Sequence, residues 1–174
     1  GGGSDLLNAI KGAREFGLTQ SMKLATLIMT VNNVESLGLR NTQGLLMSEP
    51  WYWDQNDASR AFAQRYYAKM KRMPNGNQAA DYSATMSYLK AVQAAGSSEP
   101  GKVMEQLRKL KIDDMYAKGM IRADGQMIHD FYLYEVKKPA ESKKPWDLLK
   151  QVAVMPGDKA FAPLSASTCG LLKK

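Results

Sequence analysis

Three residue constellations in this 174-residue chain are of types that could do chemistry. His129, the only histidine, stands beside Asp130, and an imidazole next to a carboxylate is the usual acid–base pairing. Both fall in an alternating run, however, and neighbours on a strand point to opposite faces, so the expectation for His129 is a structural role. Asp113 and Asp114 form a carboxylate pair, but they follow a helix end and read as a loop. Asp124-Gly125 is a turn signature; a calcium loop would need several more oxygen ligands at fixed spacing. Cys169 is the single cysteine, which excludes an internal disulfide and a thiolate metal cluster. It is either a free thiol or a bridge to a cysteine outside this chain. The glycines Gly1, Gly2 and Gly3 precede a helix and could meet an anion at its N-terminus, without the spacing of a nucleotide fingerprint. No residue set specifies catalysis, and none calls for a metal or a cofactor.

The remaining chemistry is aromatic. The stretch Gly-Leu-Leu-Met-Ser-Glu-Pro-Trp-Tyr-Trp-Asp, residues 44–54, reads as a buried strand (Leu45, Leu46, Met47) that stops at Pro50 and opens into aromatic side chains. Proline lacks the amide donor and drives the residue before it out of the helical region. In α/β domains, ligands sit at the ends of strands. If the chain stays extended, Trp51 and Trp53 share one side and Tyr52 takes the other. Plugging the end of a core is the commoner role for such rings, and a ligand platform is the alternative.

The elements that position these residues follow from periodicity. Residues 5–16 carry a helical stripe (Leu6, Ile10, Ala13, Phe16) with Ser4 or Asp5 as cap and Gly17 as stop. Residues 24–29 have the length of a strand, and residues 32–37 form a short helix ending at Gly38. After the aromatic stretch a helix begins at about Asp57 and runs to about Met73. Helix, strand, helix, strand, helix is the order of a parallel sheet with crossovers. Met-Pro-Asn-Gly-Asn, residues 73–77, breaks the chain. Helices over residues 79–95 and 102–110 follow, the second capped by Ser98 with Pro100 in its first turn. Short strands and turns come next: residues 120–122, a turn at 123–126, and one long strand over 128–137. The last 35 residues contain three prolines and read as a wrapping tail with a helical turn near residues 146–149.

Hydrophobic residues make up 44% of the chain, enough for a core, and no apolar run is long enough to cross a bilayer. The formal charge of +7 is spread over helix surfaces. Its densest runs, Lys69-Met-Lys71-Arg72 and Arg108-Lys109-Leu-Lys111, fall at helix ends, where they complement the dipole. No finger or RNA signature accompanies them, so nucleic acid is not an expected partner.

Taken together, these residues resemble the C-terminal half of the branched-chain amino-acid (Leu/Ile/Val-type) family of periplasmic solute-binding proteins of ABC transporters. The matching features are the glycine turn with Asp5-Leu-Leu-Asn-Ala-Ile-Lys, the Phe16-Gly-Leu18 step, and Gly44-Leu-Leu-Met with its aromatic mouth. To these are added residues 62–74, Ala79-Ala-Asp-Tyr-Ser-Ala84, and Asp124-Gly125-Gln126 before the strand. The resemblance covers nearly the whole chain.

It implies an α/β fold of periplasmic-binding-protein type I, with the parallel, Rossmann-like sheet of the C-terminal lobe plus part of the N-terminal lobe. Residues 1–76 would be most of the ligand-binding C-terminal lobe and 77–130 the helical part of the N-terminal lobe. Residues 131–141 would be a strand crossing back, and 142–174 the tail. Such a piece lacks the N-terminal lobe's own sheet, so the expected partners include that missing N-terminal half or, failing it, a second copy of the chain.

The resemblance also places ligand contacts at Gly3, Ser4 and Asp5 and at Thr30 and Asn32, with Trp51, Trp53 and Tyr82 near the cleft. Amino-acid binders of the family carry an acidic residue near the second position; Met29-Thr30-Val31-Asn32 has none, which sets an aromatic carboxylate against an α-amino acid as ligand. The expected role is a non-enzymatic periplasmic receptor that delivers a small molecule to a membrane permease. A sensor or regulator on the same two-lobed fold is the alternative.

Overall fold

The computed structural model describes residues 3–168, 170 and 172; Cys169 lies outside the described residues. In chain order the elements are α1 (Ser4–Glu15), β1 (Ala25–Thr26), α2 (Val31–Leu37), α3 (Leu39–Thr42), β2 (Leu46–Glu49), α4 (Asp57–Met70), α5 (Gly76–Ala95) and α6 (Pro100–Lys109). Then come β3 (Lys111–Asp113), β4 (Lys118–Ile121), β5 (Met127–Ile128), β6 (Phe131–Val136), β7 (Leu149–Met155) and α7 (Gly157–Ala160). The chain divides into two compact units: unit 1 holds the residues up to Asn75 and Tyr132–Val154, unit 2 holds Gly76–Phe131 and the residues from Met155 on.

Unit 1 is built on a four-stranded sheet in the order β1-β2-β6-β7. It is mixed rather than parallel throughout: β1 and β2 are parallel, while β6 runs antiparallel to β2. Register follows burial. Met47 and Glu49 of β2 lie opposite Tyr134 and Tyr132 of β6 on one face, with Thr26 of β1 opposite Met47. On that face Met47, Tyr134 and Val136 are buried. A one-residue slip would turn all of them outward, so the pattern pins the pairing.

Three sequence expectations change here. The apolar run at residues 24–29 pairs only over Ala25 and Thr26. Beyond it β1 leaves the edge of the sheet although β2 runs on to Glu49: Leu27 and Ile28 are exposed and Met29 turns into the core. The expected tail is the seven-residue strand β7, hydrogen-bonded to β6 as the other edge of the sheet. Finally, Trp146 does not start a helical turn: it has φ 67°, a left-handed conformation that costs a non-glycine residue roughly 1–3 kcal/mol.

Unit 2 pairs α5 and α6 with a three-stranded sheet, β3-β4-β5, antiparallel throughout. Small residues of α5 (Ala79, Ser83, Ser87, Ala91) are buried, and Val103 and Ile112 complete this core. The α6 cap is Glu99 rather than Ser98: its carboxylate accepts from the amides of Gly101 and Lys102, both at 2.9 Å. The long strand expected over residues 128–137 is two strands, with a break at His129 and Asp130. Asp130 there accepts the Gly157 amide at 2.9 Å, and Gly157 packs so closely on the His129 backbone that an added Cβ would sit 2.9 Å from its carbonyl.

Candidate functional site

The parallel pairing of β1 and β2 means that the loops following them leave the sheet at the same end, which is where α/β folds hold ligands. Each loop carries residues that the sequence singles out.

The first loop leads into α2. Thr30 is its N-cap, with extended backbone angles (φ −117°, ψ 164°), and it is tied to Asn33: the Thr30 amide and hydroxyl both donate to Asn33 Oδ1, at 2.9 and 3.0 Å. Asn32 turns the other way. Its Nδ2 donates to the Met73 carbonyl at 3.1 Å, and its Oδ1 accepts from Asn75 Nδ2 at 2.7 Å. Both residues are half-buried.

The second loop is the aromatic stretch, and its rings belong to the core. Trp51 is 1% exposed and Trp53 5%. The Trp51 indole donates to Ser59 Oγ at 3.0 Å and meets Phe62 edge-on at 5.9 Å. Tyr52 and Trp53 are not on opposite sides: the Tyr52 hydroxyl and the Trp53 indole both donate to the Trp146 carbonyl, at 2.8 and 2.9 Å. The Leu148 amide donates to the same Tyr52 oxygen at 3.2 Å, and burial raises the Tyr52 phenol. The Lys144 ammonium lies 4.9 Å from the Trp53 ring centre, and Lys137 bonds Asp147. These contacts hold residues 144–148 in place and stabilise the left-handed Trp146.

Gly3, Ser4 and Asp5 are exposed at the start of α1. Gly3 is the N-cap with φ 61°, a conformation that favours glycine, and neither Ser4 nor Asp5 caps, since both lie within the first turn. Tyr82 belongs to unit 2, on α5, and is 41% exposed. The structure therefore groups Thr30 with Asn32 and Trp51 with Trp53 at one end of the unit 1 sheet, and assigns Tyr82 to the other unit.

His129 lies in the break between β5 and β6 rather than on a strand, and its ring is packed among aromatic rings. Its ring lies 5.0 Å from Phe131, stacked, and 5.4 and 5.5 Å from Tyr116 and Phe161. Its Nδ1 meets the Asp130 carbonyl, not the carboxylate. Asp114 accepts from the Tyr116 and Ala117 amides and from Ser83.

One residue of chemical interest escaped the sequence reading. Glu49, the last residue of β2, is 6% exposed, and its Oε1 is buried without a hydrogen-bond partner, as are Thr26 Oγ1 and Tyr134 Oη on the same sheet face. Desolvation pushes its carboxyl up to about 8, so at neutral pH it is a neutral acid. The signal was available: a glutamate closing an apolar strand at a position whose strand parity matches Leu45 and Met47.

Residues 1–144 match the family model described as "Periplasmic binding protein". The chain superposes over 99% of its length on a periplasmic binding protein from Burkholderia mallei, with 60% identity and a TM-score of 0.93, covering 46% of that protein. It is 44% identical, with a TM-score of 0.89, to a branched chain amino acid ABC transporter periplasmic ligand-binding protein from Burkholderia xenovorans, over 98% of this chain and 46% of that one. An amino acid ABC transporter substrate-binding protein from Pseudomonas fluorescens is 27% identical, with a TM-score of 0.86 over 97% of this chain and 45% of that one. The chain thus spans about half the length of the solved relatives it matches. No curated protein matches it significantly.

Proposed function

This chain belongs to the periplasmic binding protein family, with the type I fold, and from that premise we propose that it is part of the solute-capturing component of an ABC uptake transporter. In this reading it works in the periplasm, holds a small carboxylate-bearing solute without transforming it, and presents that solute to a membrane permease. The observation that carries the reading is the parallel β1–β2 pair, whose two following loops bring residues 30–32 and 51–53 to one end of the sheet. In this reading the remaining ligand contacts come from the part of such a receptor that the chain, at 46% of the Burkholderia mallei protein, does not span.

An amino acid is the first candidate, because the Burkholderia xenovorans relative is described as a branched chain amino acid transporter component. An aromatic acid is the second, favoured by the absence of a carboxylate from residues 29–32. The core positions of Trp51 and Trp53 weaken the stacking argument for it. When the chain is alone, the exposed Val152 and Val154 on edge strand β7 favour pairing with a second copy. Size-exclusion chromatography that finds a stable monomer would count against that pairing.

The deciding experiment joins the chain to its upstream half and titrates leucine, leucinamide and benzoate by calorimetry and thermal shift. A solute at 100 times its Kd stabilises by about 2.7 kcal/mol. Leucine binding supports the amino-acid reading and benzoate binding the aromatic one; if neither these nor the wider set of amino acids and aromatic acids binds, the receptor reading falls.

A further inference from the structure

Helix α4 ends at Met70, Lys71 closes it in a left-handed conformation (φ 56°), and the following residues lead to the unit boundary, beyond which Gly76 opens α5. Connectors between compact units are ordinarily exposed and loose. This one begins exposed at Lys71 and Arg72 but is buried and tied down where it meets the boundary. Pro74 is fully buried and Asn75 is 9% exposed. The Asn32 carboxamide engages it with both ends, donating to the Met73 carbonyl and accepting from the Asn75 side chain. It thereby brackets Pro74, which has no amide hydrogen of its own.

We propose that Asn32 and Asn75 form a latch that fixes the pivot of this connector at the Asn75–Gly76 boundary and couples it to occupancy of the seat beside Thr30. Residues 72–75 move with unit 1, and rotation is confined to the bonds at and beyond the boundary. Thr30 and Asn32 lie within one turn of α2, so a solute that orders this turn also orders Asn32 and, through it, the connector. The reverse holds with the same coupling, since linkage between two equilibria is reciprocal. Asn32 is then a positioning residue rather than a ligand contact: the two bonds occupy its acceptor and one of its donors. The coupling half rests on the receptor reading above; the pivot half does not.

The test uses the chain joined to its upstream half, as Asn32→Ala, Asn75→Ala, the double variant and Asn32→Asp. The aspartate keeps the acceptor for Asn75 and loses the donor to Met73. Hydrogen exchange reads the amides of residues 72–77. Spin labels at Lys11→Cys and Lys90→Cys, in a Cys169→Ser background, read the distance distribution between units without any ligand. Calorimetry reads leucine, or benzoate if leucine does not bind.

Each alanine variant is expected to speed exchange at residues 72–75 about tenfold, the scale of one or two lost hydrogen bonds. Each should also broaden the distance distribution and change solute affinity by about five-fold or more. The double variant should lose less than the sum of the two single changes, because both remove the Asn32–Asn75 bond. Asn32→Asp should fall between. Unchanged exchange and distances overturn the latch. Faster exchange with unchanged affinity overturns the coupling and leaves a merely structural bond. If no solute binds the unaltered protein, the receptor reading and the coupling both fall, and the distance distributions still decide the pivot.

Discussion

The Tyr52 hydroxyl donates to the main-chain carbonyl of Trp146 across 94 residues of sequence, at 2.8 Å. The same oxygen accepts the Leu148 amide. Tyr52→Phe therefore removes one acceptor of the Leu148 amide, which also donates to the Trp146 carbonyl at 3.0 Å, and one of the three donors on that carbonyl of a left-handed residue. A loss of about 0.5–1.5 kcal/mol is expected from urea unfolding, the scale of a net hydrogen bond; no measurable loss would mean that the Trp53 indole and the Leu148 amide hold the turn without it.

Glu49 makes stability depend on pH. Its ordinary value is 4.5 and its folded value about 8, so the folded state binds the proton more tightly than the unfolded state. The stabilisation is fully present below pH 4.5 and is lost as pH rises through 8. The slope in that window approaches about −1.4 kcal/mol per pH unit. Glu49→Gln should flatten the urea midpoint across it and leave the variant more stable than the parent at high pH. A parent protein whose stability is level across that window would show the carboxyl to be solvated.

Trp51→Phe separates core from ligand platform. The lost indole bond to Ser59 and the lost volume should lower stability by about 1–3 kcal/mol. As a core residue, Trp51 should leave solute affinity in the joined protein within about threefold, the equivalent of some 0.65 kcal/mol. A larger affinity loss at matched stability would place the ring against the ligand.

Gly119 of β4 faces Ile128 so closely that an added Cβ would lie 2.2 Å from its carbonyl oxygen. Gly119→Ala must spread β4 from β5, and overpacking of this kind costs about 1–3 kcal/mol or more. Amide exchange should rise in β4 and β5 and stay unchanged in β1 and β2, as local opening predicts.

The helices were legible because their signals are local. The break at residues 73–77, the Gly38 stop and the stripe of α4 need only neighbouring residues to be read. The strands were less so, because pairing decides them. Nothing within residues 24–29 says that the chain leaves β2 after Ala25 and Thr26. The prolines around β7 masked a strand that exists because β6 lies beside it. The split between β5 and β6 depends on Gly157, 27 residues from the Asp130 it binds. For the candidate site, the loop positions were readable from strand order, but the uses of the side chains were not. The indoles face inward because a carbonyl at Trp146 and a hydroxyl at Ser59 await them, and Asn32 reaches a connector 41 residues away.

The interleaving of the two units also sets a timetable for synthesis. Strands β6 and β7, which complete the sheet of unit 1, are translated only after all of Gly76–Phe131. At roughly 5–20 residues per second, β1 and β2 wait on the order of several seconds on the ribosome with their apolar face uncovered. During that interval Met47, which faces Tyr134 of β6, and Trp53, whose partner is the Trp146 carbonyl, are open to chaperones and to neighbouring nascent chains. Ribosome profiling of slow codons within residues 76–131, set against soluble yield, would read how much the protein depends on being guarded while half made.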